Sequence, residues 1–324
     1  MKYIYKTLFF LTAVLVLNAC KKDTDIFVPD EGQTGPDISW YSNITVSMSV
    51  SVLKSNLLLQ PFSDTVQVGS NTSHLISSAG LECTFPPNSL VNNAYQPVTG
   101  TVNLESLLLK KKGDIIRMGA PTVSNGRLVV SGGEFFIRVS HTGSELQLDP
   151  SLRAVLQFQE SAVPLQNLKI FNGNASAPLQ FNWIPDTDSL NTVVSNNQFY
   201  EVRTNQLHWI NGGYIYDTSV ARVVVDAALP NNYTNANSIV YLVFRDFRSV
   251  AGMYGDVANR IFSSNPVPAG NMVTLVVISK QGNDYFMGNQ SATTVAAVAN
   301  AHQKIVVTPV KTTLPNIKQY LDSL

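Results

Sequence analysis

An all-β fold is predicted by three features of the chain. Val, Ile, Thr, Tyr and Phe fall in short runs of strand length, and Ser, Asn, Gly and Pro separate those runs. Long Glu/Lys/Ala stretches of helical period are almost absent, and only 14% of residues are charged against a typical value of about 25%. At 324 residues with 44% hydrophobic content, the chain can bury a large core and is long enough for about two domains. The prediction is two consecutive β-sandwich-like units after a signal peptide and a flexible tether, with a short C-terminal helix. The segments are 1–19, 20–37, 38–160 and 161–324.

The amino-terminal segment carries Lys2 and Lys6, an apolar run from Leu8 to Leu17, and then Asn18-Ala19-Cys20. A basic start, a short apolar stretch and small residues before a cleavage point are the features of a secretory signal peptide. The apolar run is too short to cross a bilayer, which takes about 20 residues. Leu17-Asn18-Ala19-Cys20 resembles the lipobox of bacterial lipoproteins, which implies lipidation at Cys20 and attachment to a membrane through that residue. Lys21-Lys22-Asp23-Thr24-Asp25 is similar to the lysine-then-acid signal of Bacteroidota lipoproteins, and serves equally well as a solvated spacer. The expected location is the outer membrane, at the cell surface or facing the periplasm. Pro29, Gly32, Gly35 and Pro36 mark the tether up to Asp37.

Lys plus Arg equals Asp plus Glu at 22 each, so no basic surplus exists to neutralise phosphates, and nucleic acid is not an expected partner. With Cys20 lipidated, Cys83 has no disulfide partner. It alternates with Leu81 and Phe85, the position of a small buried hydrophobe.

Ile44, Val46, Met48, Val50 and Val52 alternate with Thr45, Ser47, Ser49 and Ser51, which predicts a strand with one buried face. Further strands are expected at 64–68 and 76–85, the latter ended by Pro86-Pro87, which cannot donate to a ladder. Val98 to Leu107 follows, then the lysine run 110–112, read as a solvated edge or loop. Asn125-Gly126 is a hairpin turn signal. It leads through Arg127 to Val130 and Ser131-Gly132-Gly133 into a strand at Phe135–Val139, and Ser144 to Leu148 closes the region.

The ordered series Pro86-Pro87-Asn88-Ser89-Leu90, Val98-Thr99-Gly100-Thr101-Val102, Asp114-Ile115-Ile116, Ala120-Pro121-Thr122, Ser131-Gly132-Gly133 and Leu146-Gln147-Leu148 resembles a known β-sandwich module. It is the one found in ankyrins, netrin receptors and zonula occludens proteins, in the form present in Bacteroidota surface lipoproteins. The resemblance spans about Thr65 to Glu160. It implies a noncatalytic scaffolding or interaction role and brings no catalytic residues. Glu134 departs from it, standing where an apolar residue is expected.

In the second half, strands are expected at 155–158, 168–171, 181–185, 200–202 and 207–213, with a polar surface loop at 186–198. Further strands are expected at 221–227, 238–244, 272–279 and 304–310, and a helix at 315–324 with Ile317, Leu321 and Leu324 on one face. Leu207-His208-Trp209-Ile210-Asn211-Gly212-Gly213 resembles a tryptophan-asparagine segment of the same lipoprotein group.

No catalytic residues, metal site or cofactor are expected. His74, His141, His208 and His302 are scattered without ligand spacing, and no nucleophile elbow or phosphate-cradling loop occurs. Asp186 and Asp188 are read as solvated acids rather than calcium ligands. Asp188-Ser189-Leu190 resembles the Bacteroidota O-glycosylation triplet, with Ser189 as the acceptor. The leading expectation is a lipid-anchored binding, adhesion or scaffold module with a protein or glycan partner. The alternative is a carbohydrate-binding or glycan-processing accessory lipoprotein, in which Trp183, Trp209, Tyr214 and Tyr216 would stack on sugars.

Overall fold

Two sheets face each other across the first core. One runs in the order Phe62–Val68, Gly100–Leu109, Arg127–His141, His208–Ile215, Lys169–Ala177, Gln180–Pro185; the other runs Thr192–Asn196, Phe199–Thr204, Ala154–Gln159, Glu82–Phe85, Ser73–Ile76. The computed structural model describes residues 37–160, 165–177, 180–196, 198–216, 219–296 and 301–324. The signal segment, Cys20 and the tether as far as residue 36 lie outside the described residues. Alternate residues point inward from both sheets, as the two-residue period of a strand requires. Val102, Leu104, Phe135 and Ile137 of the first meet Cys83, Phe85, Leu156 and Val202 of the second. The all-β class and the short C-terminal helix are as the sequence predicts. The hairpin at Asn125-Gly126 also forms, with φ of 48° and 76°, the left-handed pair that such a turn requires.

A nine-stranded sheet built from Arg222–Ala228, Ser238–Phe244, Val250–Asp256, Ile261–Ser264, Met272–Gln281, Asp284–Thr293 and shorter pieces makes the other lobe. Its inner face encloses a second core that includes Val225, Leu242, Phe244, Leu275 and Val277. Val123 and Leu128, from the hairpin of the first lobe, complete that core. Sheet pairing does not change at residue 160, because the strands between 169 and 215 return to the two sheets of the first lobe. The change comes between Ile215 and Arg222, and Ile38–Leu324 packs as one body.

Three short helices fill the seam: α1 (Ser49–Leu57), α2 (Lys112–Met118) and α3 (Leu314–Asp322). Their apolar residues Val50, Leu53, Leu57, Ile115, Ile116, Ile317 and Leu321 join Leu107 and Leu109 of the first lobe and Ile239, Val243, Val276 and Ile278 of the second in a third core. Helices α2 and α3 approach so closely that a Cβ on Gly113 would stand 1.8 Å from the Leu321 carbonyl oxygen. Pro315 sits in the first turn of α3 and the Thr313 hydroxyl caps it, accepting from the Asn316 amide at 3.3 Å.

Five expectations are corrected. The 76–85 segment is not one strand: Ser73–Ile76 and Glu82–Phe85 pair as a hairpin across a turn at Gly80, whose φ is 80°. Residues 44–52 are not a strand: Ser49–Leu57 is helix, Val46 is 88% exposed, and burial follows Val50, Leu53 and Leu57 at spacings of three and four. The 186–198 region is not all loop, since Thr192–Asn196 pairs with Phe199–Thr204 as an edge strand. The expected strand at 304–310 is two, Ala301–Val306 and Val310–Thr312, separated at Val307–Pro309. The lysine run is not simply solvated: Lys112 opens α2 and donates to the carbonyls of Phe244 (2.5 Å) and Arg245 (2.8 Å), and Lys111 donates to the Asp322 carbonyl at 2.8 Å.

Candidate functional site: a bulge, a buried carboxyl and a charged cleft

Two segments that look unrelated in sequence, Ser131-Gly132-Gly133-Glu134 and Asn211-Gly212-Gly213, lie side by side. Asn211 stands opposite Glu134, Gly212 opposite Gly133 and Gly213 opposite Ser131, so Gly132 is the extra residue of a β-bulge. Glycine is required on both sides. A Cβ on Gly133 would meet the Phe158 ring at 2.7 Å, and one on Gly213 would meet the Val130 carbonyl at 2.7 Å.

The bulge turns polar groups inward. Ser131 Oγ donates to Asn211 Oδ1 at 2.9 Å and accepts from the Gly133 amide at 3.1 Å, while Asn211 Nδ2 donates to Glu134 Oε1 at 3.3 Å. Glu134 is 0% exposed, and its Oε2 has no hydrogen-bond partner. Burial pushes its carboxyl well above the ordinary carboxylate range, opposed only in part by the nearby Arg248 guanidinium. The group is therefore enclosed, out of reach of a substrate, in a setting that favours its protonated form.

Arg248 crosses from the second lobe to cover the bulge. It donates to the Gly132 carbonyl and, at 2.6 Å, to Glu160 Oε2, with Glu160 buried and Arg248 half-buried. The backbone follows it: the Ser131 amide donates to the Arg248 carbonyl at 3.0 Å, the Thr122 amide to the Val250 carbonyl at 2.8 Å, and Ser249 Oγ to the Val129 carbonyl at 2.6 Å. Beside this seam opens a cleft of about 390 Å³ whose walls carry Lys110, Lys112, Arg245 and Arg248 against Glu160 and Asp246. Tyr200 stands at its base, its hydroxyl accepting from the Leu165 amide at 2.7 Å.

The sequence-predicted glycan residues do not form a platform. Trp183 is 0% exposed, packed edge-on to Phe181 at 4.9 Å beneath Gly173, so its faces are closed to a sugar. Trp209 is half-buried between Phe136 and Phe181 at 5.3 and 5.8 Å. Tyr214 is half-buried, and Tyr216 stacks on Phe247 at 5.1 Å while donating to Asn271 Oδ1 at 3.2 Å. The physical reason is that large rings gain most by joining a core, and Trp183, Trp209 and Tyr216 each have one within reach.

Ser189 is exposed in the turn between Gln180–Pro185 and Thr192–Asn196. Asp186 and Asp188 have spent their oxygens on the same turn. Asp186 accepts from Asn172 and Asn191, and Asp188 pairs with Arg153 at 2.5 Å. His208 is exposed and pairs with Glu145 at 2.5 Å. Cys83 is fully buried and its thiol is pushed up to about 12 by burial and by Asp64 and Glu82, the opposite of a reactive cysteine.

Sequence reasoning missed Arg248, Glu160 and the pairing of the two Gly-Gly segments. A lone charged residue in a turn carries no signal of which strand it will reach, although the repeated Gly-Gly beside Asn and Glu was a usable hint of a close approach. Neither a protein-family model nor a curated protein matches this chain.

Proposed function

We propose that the protein is a noncatalytic binding module of the bacterial cell envelope, held at the outer membrane through lipidated Cys20, that engages an acidic group of a partner at the cleft on the lobe seam. The observation that carries this reading is the cleft itself. Four cationic side chains, from the 110–112 run and the 245–248 turn, stand over two carboxylates at the junction of two β lobes, a common place for ligand clefts. The enclosed Glu134, Asn211 and Ser131 support it from below. They shape the bulge that presents the cleft and are themselves inaccessible.

The test has two arms. In whole cells, a photo-crosslinking residue at Asp246 is expected to yield a defined adduct that disappears in Lys110→Glu/Arg245→Glu, and Cys20→Ser is expected to lose both palmitate labelling and membrane fractionation. An adduct unaffected by charge reversal would remove the cleft from the reading. A hydrolytic activity abolished by a single carboxylate substitution would remove the noncatalytic role, and a soluble, unlabelled wild-type chain would remove the anchor.

A further inference from the structure

A second cleft lies beside α1, which contributes Val50 and Lys54 to its lining. Its volume is about 220 Å³, and Val50, Met253 and Phe262 supply apolar wall, while Lys54, Tyr241 and Tyr254 share the lining with four further polar residues, Tyr41, Ser42, Asn235 and Ser238. That volume is below the roughly 300–1,000 Å³ of clefts that hold drug-sized molecules, so the occupant is small.

Lys54 enters the cleft because it follows Val50 by four residues, one turn of α1, which places both on the same side of the helix. It is the one basic residue in the last turn of α1. Among the described residues no carboxylate lies within ion-pairing distance of it. Burial alone lowers its ammonium to about 8, with no neighbouring acid to oppose the shift. Lys54 is half-buried, and a charge drawn partly out of water without a counter-ion is costly.

Tyr241 is 6% exposed and has no hydrogen-bond partner among the described residues, yet its hydroxyl is not among the buried atoms sealed from solvent. It opens toward the cleft past Gly119, whose missing Cβ would lie 4.0 Å from it. Burial first, and the Tyr254 hydroxyl after it, disfavour ionisation of Tyr241. One cation and two phenolic hydroxyls thus share a cleft that has both polar and apolar wall, and the Lys54 ammonium makes an anionic head on an apolar body the ligand this donor set suits.

We propose that this cleft binds a small monocarboxylate with an apolar body, its carboxylate received by the Lys54 ammonium and the hydroxyls of Tyr241 and Tyr254, and its hydrocarbon part lying against Val50, Met253 and Phe262. The site is separate from the cationic cleft on the lobe seam, and no lining residue is shared.

Equilibrium dialysis of the purified full chain against benzoate and hexanoate, with benzyl alcohol and hexanol as neutral counterparts, tests it. The expected result is saturable one-to-one binding of at least one acid and weaker binding of its alcohol. Affinity should fall as the pH is raised through about 8, where Lys54 loses its proton. Lys54→Met should weaken acid binding about tenfold or more, the contribution of one charge-assisted hydrogen bond, while Lys54→Arg retains most of it. Tyr254→Phe should cost a few-fold. The Met variant keeps the apolar stem and removes only the charge, and a melting curve checks its folding. Absence of binding by both acids at millimolar concentration, equal binding by the alcohols, or equal binding by a folded Lys54→Met variant would each overturn the proposal. The last outcome would mean that Lys54 merely covers apolar surface with its stem.

Discussion

Glu134 shows how one residue can break the pattern of its strand and still belong to the fold. Around it, Phe135, Ile137 and Val139 face the sandwich core, and Glu134 faces the lobe seam, where Asn211 and Arg248 stand. The sequence flags it only as a departure from an expected apolar residue, because its partners are 77 and 114 positions away and are fixed by the bulge and by lobe packing. Its raised carboxyl makes a signed prediction. Below the ordinary glutamate range the folded and unfolded chains are both protonated and no penalty exists. As the pH rises above that range, the unfolded chain ionises freely while the folded one resists, so the native state loses stability until Glu134 itself ionises. Glu134→Gln keeps the acceptor for Asn211 and removes the ionisation. It is expected to melt like the wild type near pH 4 and to be more stable by about 1–3 kcal/mol near pH 8. Thermal melts at the two pH values check this, and a variant that gains no stability over wild type between pH 4 and pH 8 would show that burial does not hold the carboxyl in its protonated form. Cys83, by contrast, was fully legible, because alternation with Leu81 and Phe85 fixes its face whatever packs above it.

At the scale of the element, the strands with clear alternation were legible and α1 was not. Residues 44–52 alternate apolar and polar as well as any segment in the chain, yet the alternation ends at the adjacent pair Val52-Leu53. The spacing Val50, Leu53, Leu57 then suits a helix. Tertiary context decides. The Val50 amide donates to the Ala236 carbonyl at 2.8 Å at the start of the helix, and its apolar side completes a core shared with Ile239, Val276 and Ile278. Two substitutions distinguish the readings. Leu53→Ala, at a site with 0% exposure, is expected to cost about 2–5 kcal/mol. Val46→Asp, at 88% exposure, is expected to change stability by no more than about 0.5 kcal/mol, whereas a strand with Val46 on its buried face would not tolerate the aspartate. Chemical denaturation of both variants is the measurement. The edge strand Thr192–Asn196 was hidden for a related reason: it exposes Val194 at 51% and lies among polar residues, so its only strand signal is pairing with Phe199–Thr204.

Across the whole molecule, two β lobes were expected from length and turn spacing, but how firmly they are joined could not be read from the chain. The residues that join them are local outliers: a hairpin tip, a basic run and a turn with two arginines. Val123 and Leu128 leave the first lobe to fill the core of the second, while Leu107 and Leu109 share a third core with the helices and with Ile239, Val243 and Ile278. Backbone hydrogen bonds from Thr122 and Ser131 to the 248–250 segment tie the same seam, and Arg248 with Glu160 closes it. Separating the lobes would expose both shared cores and leave the Arg248 and Glu160 charges to be rehydrated independently, so neither half retains a complete apolar interior. The expected consequence is one cooperative unfolding transition for residues 38–324, with calorimetric and van't Hoff enthalpies in agreement. A fragment of residues 38–216 should bind a hydrophobic dye and lack a sharp melt, since it keeps the sandwich core but bares Leu107, Leu109, Val123 and Leu128. Two resolved transitions in the intact chain, the first leaving a fragment-like sandwich folded, would show instead that the seam is an interface between independent domains, and that the cationic cleft on it opens and closes with them.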